Sequence, residues 1–214
     1  VKKVLRLLLS LMFYGLTGIG ISLTIKAGIG ISSFNSLNVA LAWVLHFKVG
    51  MVTIMLNGLF LMAYMLLSNF RHPIKYVSQA VAVICLGGVI DLFTAKILGS
   101  LLVQGYPMQL LIFVLGTCIA GAFTGMVLNL EVMAFPIESA CALLAEKTGV
   151  AFHRIRYGVD ILSVAGSVLL SLIFSLPLFV REGTIISLFL LTAAISLTKK
   201  VHEKSHAVKR FNRG

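Results

Sequence analysis

The stretch from Gly18 to Ala42 reads GIGISLTIKAGIGISSFNSLNVALA, and the stretch from Gly121 to Ala145 reads GAFTGMVLNLEVMAFPIESACALLA. Set at an offset of 103 residues, the two follow one order of features. A long glycine-bearing apolar run meets a short polar break, and a short amphipathic segment follows. Gly18 and Ser22 fall opposite Gly121 and Gly125, while Ser33, Asn35 and Ser36 fall opposite Pro136, Glu138 and Ser139. Leu41-Ala42 falls opposite Leu144-Ala145. In both halves a long span, a basic or turn-rich loop and a further span come next. Identities are few, so the shared order carries the case for an internal duplication.

Outward from these stretches the chain is apolar almost throughout. Of 214 residues, 59% are hydrophobic and 12% are charged, and the mean hydropathy is +1.03. An average soluble domain has about 25% charged residues. The composition therefore indicates a polytopic membrane protein, and excludes a secreted disulfide scaffold, a disordered chain and a soluble enzyme. The net charge is +11, with nine of the 18 Lys/Arg in the two ends of the chain. Basic residues flanking apolar spans follow the positive-inside pattern, and no nucleic-acid role is expected. Cys85, Cys118 and Cys141 have no short pairing and are expected as apolar filler.

Long apolar runs cover 4–25, 49–68, 76–97, 108–129 and 157–180, each near the ~20 residues that a crossing helix needs. Residues 184–197 form a shorter last span. Phe34–Phe47 and Ile137–Ala145 are too short to cross and are expected as re-entrant or broken helices, with Ser33 as N-cap of the first and Pro136 in the first turn of the second. The expected fold is all-α, one membrane domain over 1–214. Its halves are about 1–100 and 104–198, and 199–214 forms a basic cytoplasmic tail.

Six crossings with two short helices would invert the second half against the first. Eight crossings would keep the halves parallel. Both place fourteen Lys/Arg inside and four outside, with both termini cytoplasmic. Segment length favours six. Inverted repeats with interrupted helices are a common transporter plan. The small-residue pairs Gly18/Ser22 and Gly121/Gly125 lie one turn apart, so the two spans bearing them are expected to pack together.

Four stretches resemble the YczE/YyaS/YitT group of bacterial membrane proteins: residues 26–37 (KAGIGISSFNSL), 87–92 (GGVIDL), 134–139 (AFPIES) and 181–185 (REGTI). The likeness runs over nearly the whole chain. Ser33-Phe34-Asn35 stands where the group's pattern has a Pro-Trp-Asp-like triplet, and Ile74-Lys75-Tyr76 replaces a Gly-Thr; Gly183-Thr184 keeps the second one. The resemblance implies a multi-span protein of the bacterial inner membrane, compatible with transport, and brings no substrate class.

An ionisable group inside a span is costly, so each one is a functional candidate. Asn35, Asn38, Asn57, Asp91 and Glu138 are the candidates for a solute or ion pocket, with the short helices' N-termini aimed at it. Asp160 is placed to pair with Arg156 one turn earlier. Glu131, Glu146 and Lys96 are expected at the interface. His202-Glu203-Lys204-Ser205-His206 spells the zinc-protease H-E-x-x-H, but it stands among basic residues with no third ligand, so no metal, cofactor or enzymatic activity is expected. The expectation is a secondary transporter or solute-binding membrane subunit for a small solute, alone, as a homodimer or with a partner membrane protein. The alternative is an accessory protein that acts through such a partner.

Overall fold

A computed structural model describes residues 2–100, 103–130 and 132–211. Among the described residues, eight α-helices follow in order: α1 (Lys2–Ala27), α2 (Ser33–Leu45), α3 (Val49–Leu67), α4 (Pro73–Asp91), α5 (Tyr106–Leu130), α6 (Pro136–Thr148), α7 (Phe152–Ile173) and α8 (Glu182–Phe211). A π-helical turn, Leu92–Ile97, continues α4. No strand occurs among the described residues. Among the described residues, five helical stretches are long and apolar enough to cross a membrane: Val4–Ala27, Val49–Leu67, Pro73–Ile97, Tyr106–Leu130 and Phe152–Ile173. The apolar parts of α2 and α8, Ser33–Leu45 and Glu182–Thr198, are shorter.

Local chemistry sets most boundaries. Pro136 opens α6, where its missing N–H leaves no helical bond unmade. Gly149, at φ 71°, closes α6 in the left-handed conformation that glycine adopts freely. The N-cap of α2 is Ser32, one residue ahead of the expected Ser33: the Ser32 carbonyl accepts from the Ser36 N–H at 2.8 Å, and its hydroxyl accepts from the Asn35 amide at 3.0 Å. The apolar run expected over 157–180 stops being helical after Ile173. Ser175 takes φ 53°, and the following Pro177 disfavours helix at Leu176. Hydropathy alone does not register that stop.

The longest interface joins α1 to α5. Gly20 lies against the backbone of Gly116 and Ala120, so close that a Cβ there would overlap it. One to two turns away, Phe13 stacks on Phe123 with ring centroids 5.8 Å apart. As α1 is followed upward its contacts descend α5, so the pair is antiparallel. The expected small-residue pairs face elsewhere. Gly18 faces Leu86 and Val89 of α4, while Gly121 and Gly125 face Leu191, Ala194, Ile195 and Thr198 of α8. The Ser22 hydroxyl bonds back to the Gly18 carbonyl at 2.8 Å. Spacing identifies a helix that can be approached closely, but not which neighbour approaches it.

Around this pair, α4 packs on α1 and α8 on α5. The short helices cross over, α2 lying against α7 and α6 against α3. The pattern departs from regularity once. The α3–α4 seam is tight, with Gly50 against Gly87, whereas α7 and α8 barely touch. The largest apolar cluster gathers Tyr14, Ala82, Leu86, Ile90, Val127, Met133, Phe135, Ile137 and Cys141.

Candidate functional site

Helices α2, α3, α6 and α7 carry two polar clusters. On the α2–α3 side, the Asn38 amide donates to Asn35 Oδ1 at 3.3 Å and to Thr53 Oγ1 at 3.2 Å. The Asn57 amide donates to the Thr53 carbonyl at 2.9 Å. Asn38 is fully buried and Asn57 nearly so. Charge is absent from this cluster; hydrogen bonds alone offset the cost of burying amides in apolar surroundings.

On the α6–α7 side the corresponding cluster is ionic. Arg156 lies 3.8 Å from Glu138 and 2.6 Å from Asp160. The Arg156–Asp160 contact is the one-turn pair that the sequence suggests. These three residues stand 103 positions after Asn35, Thr53 and Asn57. Two carboxyl groups share one guanidinium. Glu138 Oε2 is sealed from solvent without a partner, and so is Asn38 Oδ1. Tyr14 on α1 is fully buried, and its hydroxyl is also unpartnered. Its ring packs on Phe135, at a centroid distance of 4.3 Å, immediately before α6.

The two breaks that lead into α2 and α6 are clamped from outside. Backbone carbonyls in an apolar setting need donors. At the first break, Gly183 N–H donates to the Ile29 carbonyl at 2.8 Å, the Thr184 hydroxyl to Ile31 at 2.7 Å and the Arg181 guanidinium to Gly28 at 3.0 Å. At the second, the Gln79 amide on α4 donates to the Ala134 carbonyl at 3.0 Å and to the Ser139 hydroxyl at 2.8 Å. Ala134 stands 103 positions after Ile31.

Among the sequence candidates, then, Asn35, Asn38 and Asn57 come together around Thr53, and Glu138 joins Arg156 and Asp160. Asp91 stands apart from both. It accepts from the Gly50 N–H at 2.6 Å, at the start of α3, and lines a cavity of about 330 Å³ with Trp43, His46 and Lys48. Thr53, Tyr14 and Gln79 escape sequence reasoning, and Thr184 enters it only within the 181–185 stretch of the family resemblance, with no role attached. A lone glutamine near the start of an apolar span is the one signal that could have been followed. Glu131 lies outside the described residues, as do the side chains of His202–His206 on α8. Among the described residues, no three His, Cys, Asp or Glu side chains converge as a metal site.

The sequence profile of one family, described as a family of unknown function (DUF6198), matches residues 1–200. Neither a curated protein nor a solved structure matches the chain.

Proposed function

Because this chain belongs to the DUF6198 family of unknown function, membership brings no activity with it, and we propose from the geometry that it is a small secondary transporter of the bacterial inner membrane. In this reading the halves are inverted repeats, and α8 supplies a sixth crossing. Reciprocal contacts support the inversion. Gly20 meets Gly116 while Phe13 meets Phe123, which is the exchange of partners that a two-fold axis across antiparallel helices produces. The same axis exchanges α2 on α7 with α6 on α3.

Arg6, Arg71 and Lys75 line one cavity, so the start of α1 and the α3–α4 turn share an end of the bundle. That suits six crossings better than eight. The positive-inside pattern makes this end cytoplasmic, with both termini. The likeness to the YczE/YyaS/YitT group belongs to the same reading.

The observation that carries the function is the pair of buried polar clusters, one beside each short helix. Transporter sites of this plan lie at the repeat interface, between broken helices. Of the buried atoms without a hydrogen-bond partner in these clusters, Asn38 Oδ1 and Glu138 Oε2 are acceptors, while the donor Arg156 Nη1 is held by its ion pair with Asp160. A solute that satisfies them brings donors, as a protonated amine or an amide does. Alternating access would rock one half against the other about the α1–α5 crossing.

The test replaces the ionic cluster by the residue types of the neutral one: Glu138→Asn with Arg156→Thr and Asp160→Asn. Proteoliposomes on a solid-supported membrane would be challenged with amines, amino acids, carboxylates and sugars. Amine-bearing solutes are expected to give a current in the native protein and none in the triple variant, with circular dichroism unchanged. Glu138→Gln alone is expected to lower the current at least tenfold, about 1.4 kcal/mol or more. Silence of the native protein to every class, or equal currents in both proteins, would move the reading to an accessory protein.

A further inference from the structure

A second cavity, of about 760 Å³, lies at the end of the bundle that holds the start of α1. Its wall combines Arg6 of α1 with Arg71, His72 and Lys75 at the α3–α4 turn. α4 begins here, with Pro73 in its first turn, so the partial positive charge of a helix start adds to the three cations. The rest of the wall includes Leu7, Ile74, Leu130 and Val132. Below the cavity, α1 and α4 pack side by side and turn apolar side chains outward: Leu8 and Met12 from α1, Val77, Val81 and Ile84 from α4.

We propose that this cavity binds the phosphate of an anionic phospholipid, with the acyl chains lying along the outer faces of α1 and α4. The inference rests on the membrane reading of the fold, not on transport. Three cations gathered around the start of α4 favour an anion, and a phosphate ester matches the fork of an arginine. The apolar wall argues for the lipid over a free ion. A soluble phosphate would leave Leu7, Ile74, Leu130 and Val132 facing water, whereas a lipid covers them. Basic pockets between membrane helices on the cytoplasmic side are known to take such headgroups.

The experiment is native mass spectrometry of the purified full chain in neutral detergent, with phosphatidylglycerol or phosphatidylcholine added in separate runs. Arg71→Gln with Lys75→Gln removes two wall cations. Lys48→Gln with Lys96→Gln removes two charges outside the cavity and serves as the matched control. Both pairs are exposed, and circular dichroism and gel filtration would verify folding. The native protein and the control are expected to retain phosphatidylglycerol roughly tenfold better than the Arg71/Lys75 variant, with no enrichment of phosphatidylcholine. Equal retention by all three proteins would overturn the proposal. So would displacement of phosphatidylglycerol by millimolar inorganic phosphate, which would make the site one for a soluble anion.

Discussion

The Asn35–Asn38–Thr53–Asn57 cluster and the Glu138–Arg156–Asp160 cluster share three positions at an offset of 103 residues, yet one is neutral and the other ionic. Each sits where a short helix meets the long helix after it. The neutral cluster ties α2 to α3 with amide and hydroxyl bonds that need no counter-charge. The ionic cluster ties α6 to α7 through a guanidinium that serves two carboxylates, one of which keeps an unpartnered oxygen. Equal scaffolding therefore does not mean equal chemistry. The first half offers an uncharged acceptor, Asn38 Oδ1, held by neutral hydrogen bonds. The second has a charge balance that a proton or a cationic solute can alter.

The largest expected effect separates the two clusters directly. Arg156→Met leaves Glu138 and Asp160 without their shared cation, and breaking a buried ion pair costs about 3–5 kcal/mol. The residues here are partly exposed, so about 3 kcal/mol is expected. Thr53→Val, at the corresponding position, removes one neutral hydrogen bond and is expected to cost about 1 kcal/mol. Denaturant titration in detergent, followed by circular dichroism, measures both. Equal losses would mean that the ionic cluster is hydrated and no different in kind from the neutral one.

A smaller effect compares the two clamps. The first break is held by three donors, from Arg181, Gly183 and Thr184. The second takes its described clamp from Gln79 alone. Gln79→Leu removes both of that residue's bonds and with them the whole described clamp, at a cost of about 2 kcal/mol; Thr184→Val removes the bond to Ile31 and the one its hydroxyl accepts from the Arg181 N–H, also about 2 kcal/mol, but leaves two donors on the first break. Hydrogen exchange should rise over 132–135 in the first variant more than over 28–31 in the second. The reverse order would place the weaker clamp at the first break.

Much of this frame was legible before any coordinates. The all-α class, the two short helices and the 103-residue offset all follow from hydropathy and the order of features. Asn35, Asn38 and Glu138 stood out because polar side chains in apolar runs are costly. Thr53 did not, because a threonine inside a run of Val, Ile and Met passes as a β-branched filler. Helix partners were legible only in part. α1 has glycines at 15, 18 and 20, and only the fold tells which of them meets α5. The end of α7 was signalled by Pro177, but a hydropathy window averages across a proline. The clamps were not legible at all, since each joins residues from opposite halves of the chain.

The smallest effect concerns Asp91, whose counterpart 103 positions on is Ala194. The first half thus has a carboxylate at its α3–α4 seam where the second has a methyl group, and the α7–α8 seam is the open one. Asp91 satisfies the Gly50 N–H at the start of α3, a site where a negative charge also opposes the helix dipole favourably. Asp91→Asn keeps an oxygen acceptor and loses only the charge, so a cost of about 0.5 kcal/mol is expected. Asp91→Ala loses the acceptor as well and should cost about 1–2 kcal/mol. Because Asp91 stands apart from both polar clusters, solute-driven currents are expected to survive Asp91→Asn. If that variant folds normally and the currents vanish, the carboxylate takes part in transport, and the chemistry cannot be confined to the ionic cluster of the second half.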